Sequence, residues 1–441
     1  MALYCDNQLK SITEGIRGAD PDAVRRAREY VQTLAAPPGS LGKLTDAAVQ
    51  LAGITGRVKN RLEKRRIIVL CADNGVVEEG VSVTPPSVTL AQAVNMTKYQ
   101  TGMSTLAKHF GCEVEVVDVG IYADLPLDGS PAEAKLNVPD GMPARAETIS
   151  AAGSPAETKL NVPDGMPAPA EKLSMAGCPA EAAPLRYAGA AGGILPRKIR
   201  PGTANLYREP AMSRRETLEA IGVGIERARA ASQDGIKVIG VGEMGIGNTT
   251  TSAAVLSALT GLSIEEVTGR GGGLTDAAFA RKKEIIAGAV ALHRPDPADP
   301  VDVLAKVGGL DLAAMCGVYL GAAACRIPVV VDGFISIVAA LCAVRLCPAA
   351  RDFMFPSHAS AEPGYLWAAD EIGLSPWLML NMRLGEGSGC PLAFQILDAA
   401  CALMNDMATF EDAQIDDGYL EEIRAMENPG TGQARQAGAF S

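Results

Sequence analysis

The stretch Ile236–Ala254, IKVIGVGEMGIGNTTTSAA, decides the fold. A short apolar, β-rich run leads into a glycine-rich turn holding one carboxylate, Glu243, and the turn leads into a helical segment that opens on Asn248 and Thr249. Strand, glycine turn and helix together make a phosphate cradle. Glycines let the backbone approach a ligand closely, and the first N–H groups of a helix lie at its positive dipole end. Gly240, Gly242 and Gly245 also satisfy G-x-G-x-x-G, so a dinucleotide site stands beside the phosphate cradle as a reading, although that pattern alone is weak.

The same rhythm recurs outward from this segment. Ile67–Leu70 runs into CADNG, Val114–Val119 into Gly120, Val329–Val331 into DGF and Phe353–Phe355 into PSH, each followed by a helical pattern. Strands alternating with helices predict an α/β fold with a mostly parallel sheet covered on both faces. Ligands in such sheets bind beyond the carboxyl ends of the strands. Asp73, Asp118, Glu243, Asp332 and Ser357 are therefore expected to converge on one crevice; the alternative for each is a turn cap.

Residues 8–62 read as mostly helical around a loop, APPGSLGKL, and an apolar helix is expected over Pro391–Phe410. Residues 124–194 break the rhythm. SPAEAKLNVPDGMPARAETISAAG at 130–153 is repeated at 154–177 with 19 of 24 positions identical, and a third copy begins at Cys178 before dissolving. Rich in Pro, Ala, Gly and Glu, this tandem duplication has little apolar area to offset its ordering entropy, and two copies are too few for a solenoid. It reads as a surface excursion whose removal, over 130–177, leaves fold and activity largely unchanged. The tail 428–441 reads as mobile.

Composition narrows the function classes. With 441 residues and 48% apolar side chains the chain has ample core, and a net charge of −11 without a concentrated basic surface argues against nucleic acid as partner. The densest basic run, RLEKRR at 61–66, reads as a solvated helix end. No secretory signal is recognised, and Ile327–Cys347, broken by Asp332 and Arg345, reads as a strand and a core helix rather than a membrane span. The ten cysteines lack C-x-x-C pairs and read as cytosolic core thiols, so a cytoplasmic protein is expected. The three histidines are not grouped with Cys or carboxylates at ligand spacing, so no metal is expected.

Two further loops carry chemistry. TGRGGGLTD at 268–276 follows the first glycine loop by about a helix length; two such loops suit an extended polar handle such as a ribose phosphate. Lys282 or Lys283, on the next helical segment, offers a point charge to the phosphate, unless both belong to a solvated helix face. MRLGEGSGC at 382–390 sets Glu386 between Gly385 and Gly387, where no neighbouring side chain shields it. Burial by an aromatic ligand would raise its pKa toward neutrality and suit it to general-base work; otherwise it caps the following helix.

Taken with their companions along the chain, these loops resemble those of a known family. GSLGKL (39–44), EEGVS (78–82), GTANLYREPAM (202–212), GEMGIGNTT (242–250), GRGGGL (269–274), DGFIS (332–336) and RLGEGSG (383–389) resemble, in the same order, the signature segments of nicotinate-nucleotide–dimethylbenzimidazole phosphoribosyltransferases. The resemblance covers about residues 8–123 and 195–425. It implies a Rossmann-like core (63–385) and a smaller helical domain built from 1–62 and 386–427, in a homodimer. It also implies transfer of ribose 5-phosphate from nicotinate mononucleotide to 5,6-dimethylbenzimidazole, with inversion at C1′, for the lower ligand of cobalamin.

The resemblance assigns residues as well. Glu386 is the general base that removes the benzimidazole N–H proton, Glu243 is a carboxylate beside the cationic sugar, and Lys282 is the family lysine, with Lys283 one position away. Gly245, Gly247, Asn248, Thr249, Gly271 and Gly272 hold phosphate and ribose, with Ser336 and Ser388 as weaker candidates. Asp73, Ser82, Thr84 and Met244 complete the substrate-binding set. No cofactor is called for, because nicotinate departs with a neutral ring nitrogen. The sequence departs from the family pattern at Asn74, where a histidine is usual, at Val83 and Thr84, where bulkier residues are usual, and near Ala91 and Gln92, where a base-pocket glutamine is usual. These departures lie on the side of the attacking base and leave its identity open among benzimidazoles, purines and phenols.

Two rivals remain at the level of sequence. A nicotinamide-dependent dehydrogenase would place Glu243 against a pyrophosphate of like charge, and a non-catalytic nucleotide- or azole-binding protein would have no use for Glu386.

Overall fold

The computed structural model describes residues 4–124, 135–136 and 193–420. Nearly all of the repetitive region and the whole of the tail 428–441 lie outside the described residues.

The strands are β1 Arg65–Ala72, β2 Glu113–Gly120, β3 Ala123–Asp124, β4 Lys135–Leu136, β5 Leu195–Pro196, β6 Val238–Met244, β7 Val329–Val331 and β8 Met354–Pro356. Six of them form one sheet in the order β5-β2-β1-β6-β7-β8, every neighbouring pair parallel, while β3 and β4 pair antiparallel. The parallel register brings Cys71 level with both Asp118 and Met244, so the carboxyl ends of the central strands open on one edge. The chain order reverses about β1, which makes the β1/β6 boundary the switch point at which such sheets form a crevice.

Three helices precede the sheet: α1 Asp6–Gly15, α2 Pro21–Thr33 and α3 Lys43–Thr55. Between β1 and β2 lie α4 Ser87–Thr97 and α5 Gly102–His109, and α6 Arg214–Gln233 leads to β6. Then follow α7 Asn248–Thr260, α8 Ile264–Val267, α9 Asp276–His293, α10 Pro300–Val307, α11 Leu310–Ala324, α12 Phe334–Leu346, α13 Gly364–Glu371 and α14 Cys390–Asp406. All of α11 from Leu310 to Ala323 is buried, as expected of a helix apolar on every side. It lies tight against α6: a Cβ on Gly224 would stand 1.9 Å from the Ala314 carbonyl oxygen, and one on Gly317 would stand 2.0 Å from that of Ile221.

The strand positions agree with the sequence pattern, and Ile327–Cys347 resolves into β7 and α12. Among the described residues no helix is long and apolar enough to cross a membrane. The last apolar helix ends at Asp406, four residues before the expected Phe410. Its continuation turns extended because Ala408 and Phe410 pair with the N-terminal segment, the Ala35 N–H donating to the Ala408 carbonyl and the Phe410 N–H to the Thr33 carbonyl.

Candidate active site

A cavity of about 300 Å³ opens at the carboxyl ends of β1, β6 and β7. Its walls come from the segment 81–92 after β1, the turn after β6, the glycine loop 270–274, the start of α12 and the segment 383–386 before α14. A larger cavity, about 700 Å³, lies between α2, α3 and Arg351–Asp352. There Gln50 and Arg351 already donate to backbone carbonyls, and none of the crevice carboxylates is present, so size does not mark the site.

One end of the crevice is built for an anion. Gly247, left-handed at φ 93°, is the N-cap of α7, so the positive end of that helix lines the cavity with Asn248 and Thr249, while the Asn248 and Thr250 N–H groups donate to the Gly245 and Gly247 carbonyls. Gly271 and Gly272 stand opposite with Arg270, and the Arg383 guanidinium donates to the Gly271 carbonyl at 3.0 Å. Lys282 does not line the crevice. Its ammonium is buried behind the cradle, donating to Thr249 Oγ1 at 2.9 Å and the Gly269 carbonyl at 3.0 Å, and burial lowers its pKa to about 8. The Gly271 N–H donates to Glu362 Oε1 at 3.0 Å, which ties the second glycine loop to the segment after β8.

The other end is acidic. Gly385, Glu386 and Gly387 take φ values of 78°, 63° and 88°, three left-handed residues in succession, and a non-glycine residue there costs about 1–2 kcal/mol. Such a run turns successive N–H groups to one side as a nest for anions. The nest is filled by the protein itself. Glu386 N–H donates to Glu243 Oε1 at 3.1 Å, Gly387 N–H to Asp332 Oδ2 at 3.0 Å and Gly389 N–H to Asp332 Oδ1 at 2.6 Å. Carboxylates at the ends of β6 and β7 thus clamp the loop from below and turn the Glu386 side chain toward α5, where its Oε2 accepts the Met103 N–H at 3.2 Å.

Glu386 is therefore only 4% exposed, not the unshielded carboxylate its glycine neighbours suggested, and it serves the N-terminus of α5 rather than that of α14. Burial raises its pKa, while the Met103 amide and the Thr101 hydroxyl oppose the shift. Glu243 is pushed up to about 8, by burial first and then by Asp311. Asn248 Nδ2 bridges these two acids, donating to Glu243 Oε2 and, at 3.1 Å, to Asp311 Oδ2. Burial also pushes Asp311 up to about 6 and raises Asp332, against its two loop amides and His358. A site that holds so many buried acids favours a cation.

The glycines of the opening motif have steric reasons that are not those of a dinucleotide site. A Cβ on Gly240 would stand 2.7 Å from Cys390 Cβ, and one on Gly242 2.3 Å from the Glu386 carbonyl oxygen. They make room for α14 and the Glu386 loop, not for a pyrophosphate.

Comparison with known proteins gives the family. The profile of the Phosphoribosyltransferase family matches residues 16–415. A nicotinate-nucleotide–dimethylbenzimidazole phosphoribosyltransferase of Clostridium perfringens is 44% identical over 95% of this chain and 98% of its own length. The chain belongs to the nicotinate-nucleotide–dimethylbenzimidazole phosphoribosyltransferase family. A relative of the same name from Clostridium acetobutylicum is 40% identical over 92% of this chain and 98% of its own length. The crystal structure of the enzyme of that name from Thermus thermophilus superposes with a TM-score of 0.72 at 34% identity, covering 90% of this chain and all of that one. A dehydrogenase and an unrelated binding protein are thereby set aside.

Within this phosphoribosyltransferase the crevice brings together Glu243, Glu386, Met244, Gly245, Gly247, Asn248, Thr249, Gly271, Gly272, Ser336, Ser82 and Thr84. Asp73, Asp118, Ser357 and Ser388 are not among the lining residues. Asp73 points under the sheet edge, where its Oδ2 accepts the Tyr122 N–H at 2.8 Å and burial lifts its pKa to about 7. Asp118 accepts the N–H groups of Gly120 and Ile121 as a turn cap, and Ser388 Oγ is buried without a hydrogen-bond partner among the described residues. Sequence reasoning passed over Arg270, Arg383 and Glu362 as site residues. The first two lie inside quoted motifs and were legible as cations beside glycines, whereas nothing local marks Glu362. On the base side Gln92, not Ala91, lines the crevice.

Proposed function

We propose that this crevice transfers ribose 5-phosphate from nicotinate mononucleotide to 5,6-dimethylbenzimidazole or a closely related base, giving an α-ribotide and nicotinate, with Glu386 as the general base. The observation that carries the reading is the clamped GEG loop, which holds one carboxylate of raised pKa at the rim of a cavity whose far end is an anion cradle. The phosphate belongs against Gly245–Thr249 and Gly271–Gly272, with Arg270 beside it and Lys282 bracing Thr249 from behind. The nicotinate ring, a pyridinium cation, belongs over the acidic floor.

Bond changes follow from that placement. The attacking ring nitrogen of the base forms its bond to C1′ as the C1′–N bond to nicotinate breaks on the opposite face, and the configuration inverts. Nicotinate keeps the bonding pair and leaves with a neutral ring nitrogen. The proton on the second nitrogen of the base passes to Glu386. Its raised pKa brings it closer to the operating pH, as an efficient base requires. Glu243 stabilises positive charge on the sugar when ionised, and a bound pyridinium favours that ionisation. Positioning of two bound reactants supplies the rest.

The division into core (63–385) and small helical domain, a cytoplasmic location and a homodimer belong to the same proposal. The exposed side chains Met379, Leu380 and Leu384, the last at the crevice rim, support a second copy on that side. The decisive experiment incubates the protein with nicotinate mononucleotide and a panel of benzimidazoles, purines and phenols and identifies ribotides by mass. A benzimidazole ribotide with matching nicotinate release is expected; no ribotide from any base overturns the reading.

A further inference from the structure

Beneath the Glu386 loop lies a buried polar group that the proposed chemistry leaves without a task. His358, two residues past β8, is fully buried, and its Nδ1 stands 3.2 Å from Ser357 Oγ and 3.7 Å from Asp332 Oδ1. Its Nε2 has no hydrogen-bond partner among the described residues. Ser357 Oγ donates its hydrogen to the Asp332 carbonyl at 3.2 Å, so toward the imidazole it acts as acceptor. The network therefore places a proton on Nδ1, the nitrogen that faces Ser357 Oγ. At 3.7 Å the N–H acts on Asp332 as a dipole and, through Ser357, on its backbone carbonyl.

The loop is seated on this group. A Cβ on Gly389 would stand 2.4 Å from His358 Nδ1, 2.5 Å from Ser357 Oγ and 2.9 Å from Asp332 Oδ1. Asp332 in turn receives the Gly387 and Gly389 amides, and its own N–H donates to Ser336 Oγ at 3.1 Å. A carboxylate that bridges two amides of a strained loop can hold them only if its own orientation is fixed. His358 stands beside it, with Nδ1 3.7 Å from Oδ1, the oxygen that also accepts the Gly389 amide.

We propose that His358 is a positioning residue for the general base: its Nδ1–H orients Asp332, and Asp332 holds the left-handed loop that presents Glu386. The inference rests on the reading of Glu386 as base, and one arm of its test is independent of that reading. Asn places an amide N–H near the position of Nδ1, whereas Gln places one near Nε2. In His358→Asn, kcat stays within about tenfold of the parent; in His358→Gln it falls about 100-fold or more, with KM for nicotinate mononucleotide within about threefold in both. Hydrogen exchange of the peptide spanning 383–390 stays slow in the Asn variant and quickens in the Gln variant, with the rest of the chain unchanged.

Equal kcat in the two variants, a loss carried by KM, or unchanged exchange in the Gln variant overturns the role of His358. A parent protein that forms no ribotide overturns the functional reading instead, and the exchange arm still decides whether His358 holds the loop.

Discussion

The segment from the end of β6 to the start of α7, GEMGIGN at 242–248, and the loop before α14, GEGSG at 385–389, are both glycine-rich and both lead into a helix, yet their amides face different destinations. The first delivers a helix N-terminus to the cavity and lends its carboxylate, Glu243, to the other loop. The second gives its N–H groups to Glu243 and Asp332 and presents a side chain. Glycine content alone does not say which kind of loop is present. What separates them is where carboxylates end neighbouring strands: a nest already filled by protein anions has no room for a ligand's phosphate. It becomes a rigid mount for Glu386.

The largest effect should come from the group so mounted. Glu386→Gln keeps shape and hydrogen-bond capacity but loses basicity, so kcat is expected to fall by about three orders of magnitude or more while nucleotide affinity stays within about threefold. Steady-state kinetics and calorimetry with nicotinate mononucleotide check both halves, and near-parent turnover would remove Glu386 from the base role. The next effect contrasts the two loops directly. Gly387→Ala puts a Cβ at φ 88°, 3.1 Å from Gly242 Cα and 3.2 Å from Ile67 Cγ2; Gly247→Ala puts one at φ 93°, 2.7 Å from Val77 Cγ2. Both are strained. The first is expected to lower kcat about 100-fold with little change in KM, and the second to raise KM for the nucleotide about tenfold with a smaller change in kcat. If both variants lose kcat alone, the division of labour between the loops is wrong.

The phosphate end can be sharpened further with Lys282→Met. The ammonium is buried and holds Thr249 and the Gly269 carbonyl, so its removal should loosen the cradle and raise KM for nicotinate mononucleotide about tenfold, leaving the pH dependence of kcat unchanged. A shifted pH profile would instead assign Lys282 to proton transfer.

The two ends of the crevice also differ in how much of them was legible in the sequence. The strand ends and both glycine loops were readable because β-branched runs, glycines and turn residues act locally, and parallel pairing of five apolar runs followed from their alternation with helices. Glu386 and Glu243 were readable as lone acids among glycines. Their contact was not, since 143 residues separate the Glu386 amide from the carboxylate that accepts it. The burial of Glu386 was missed for the same reason: its partner, the Met103 amide, lies 283 residues away. Asp73 and Asp118 share the strand-end pattern of Asp332 but turn their carboxylates onto backbone amides of their own sheet edge. A strand-end aspartate has two directions open to it, and the sequence pattern does not distinguish them.

The last expected effect is on stability, and it separates the acidic end from the cradle by sign. Burial first of all raises the native pKa to about 8 at Glu243, about 7 at Asp73 and about 6 at Asp118 and Asp311. Between its ordinary value near 4 and its native value each group holds more protons folded than unfolded, so unfolding free energy falls as pH rises through that window. Lys282, with its pKa lowered to about 8, binds fewer protons folded than unfolded only above that pH, where its contribution rises with pH. Melting temperature should therefore decline from pH 5 to pH 8. Glu243→Gln should flatten that decline most toward pH 8, because Glu243 titrates last and each group contributes at most about 1.4 kcal/mol per pH unit. An identical slope in parent and variant would mean that Glu243 stays ionised in the fold and that its bond to the Glu386 amide is already that of a full carboxylate.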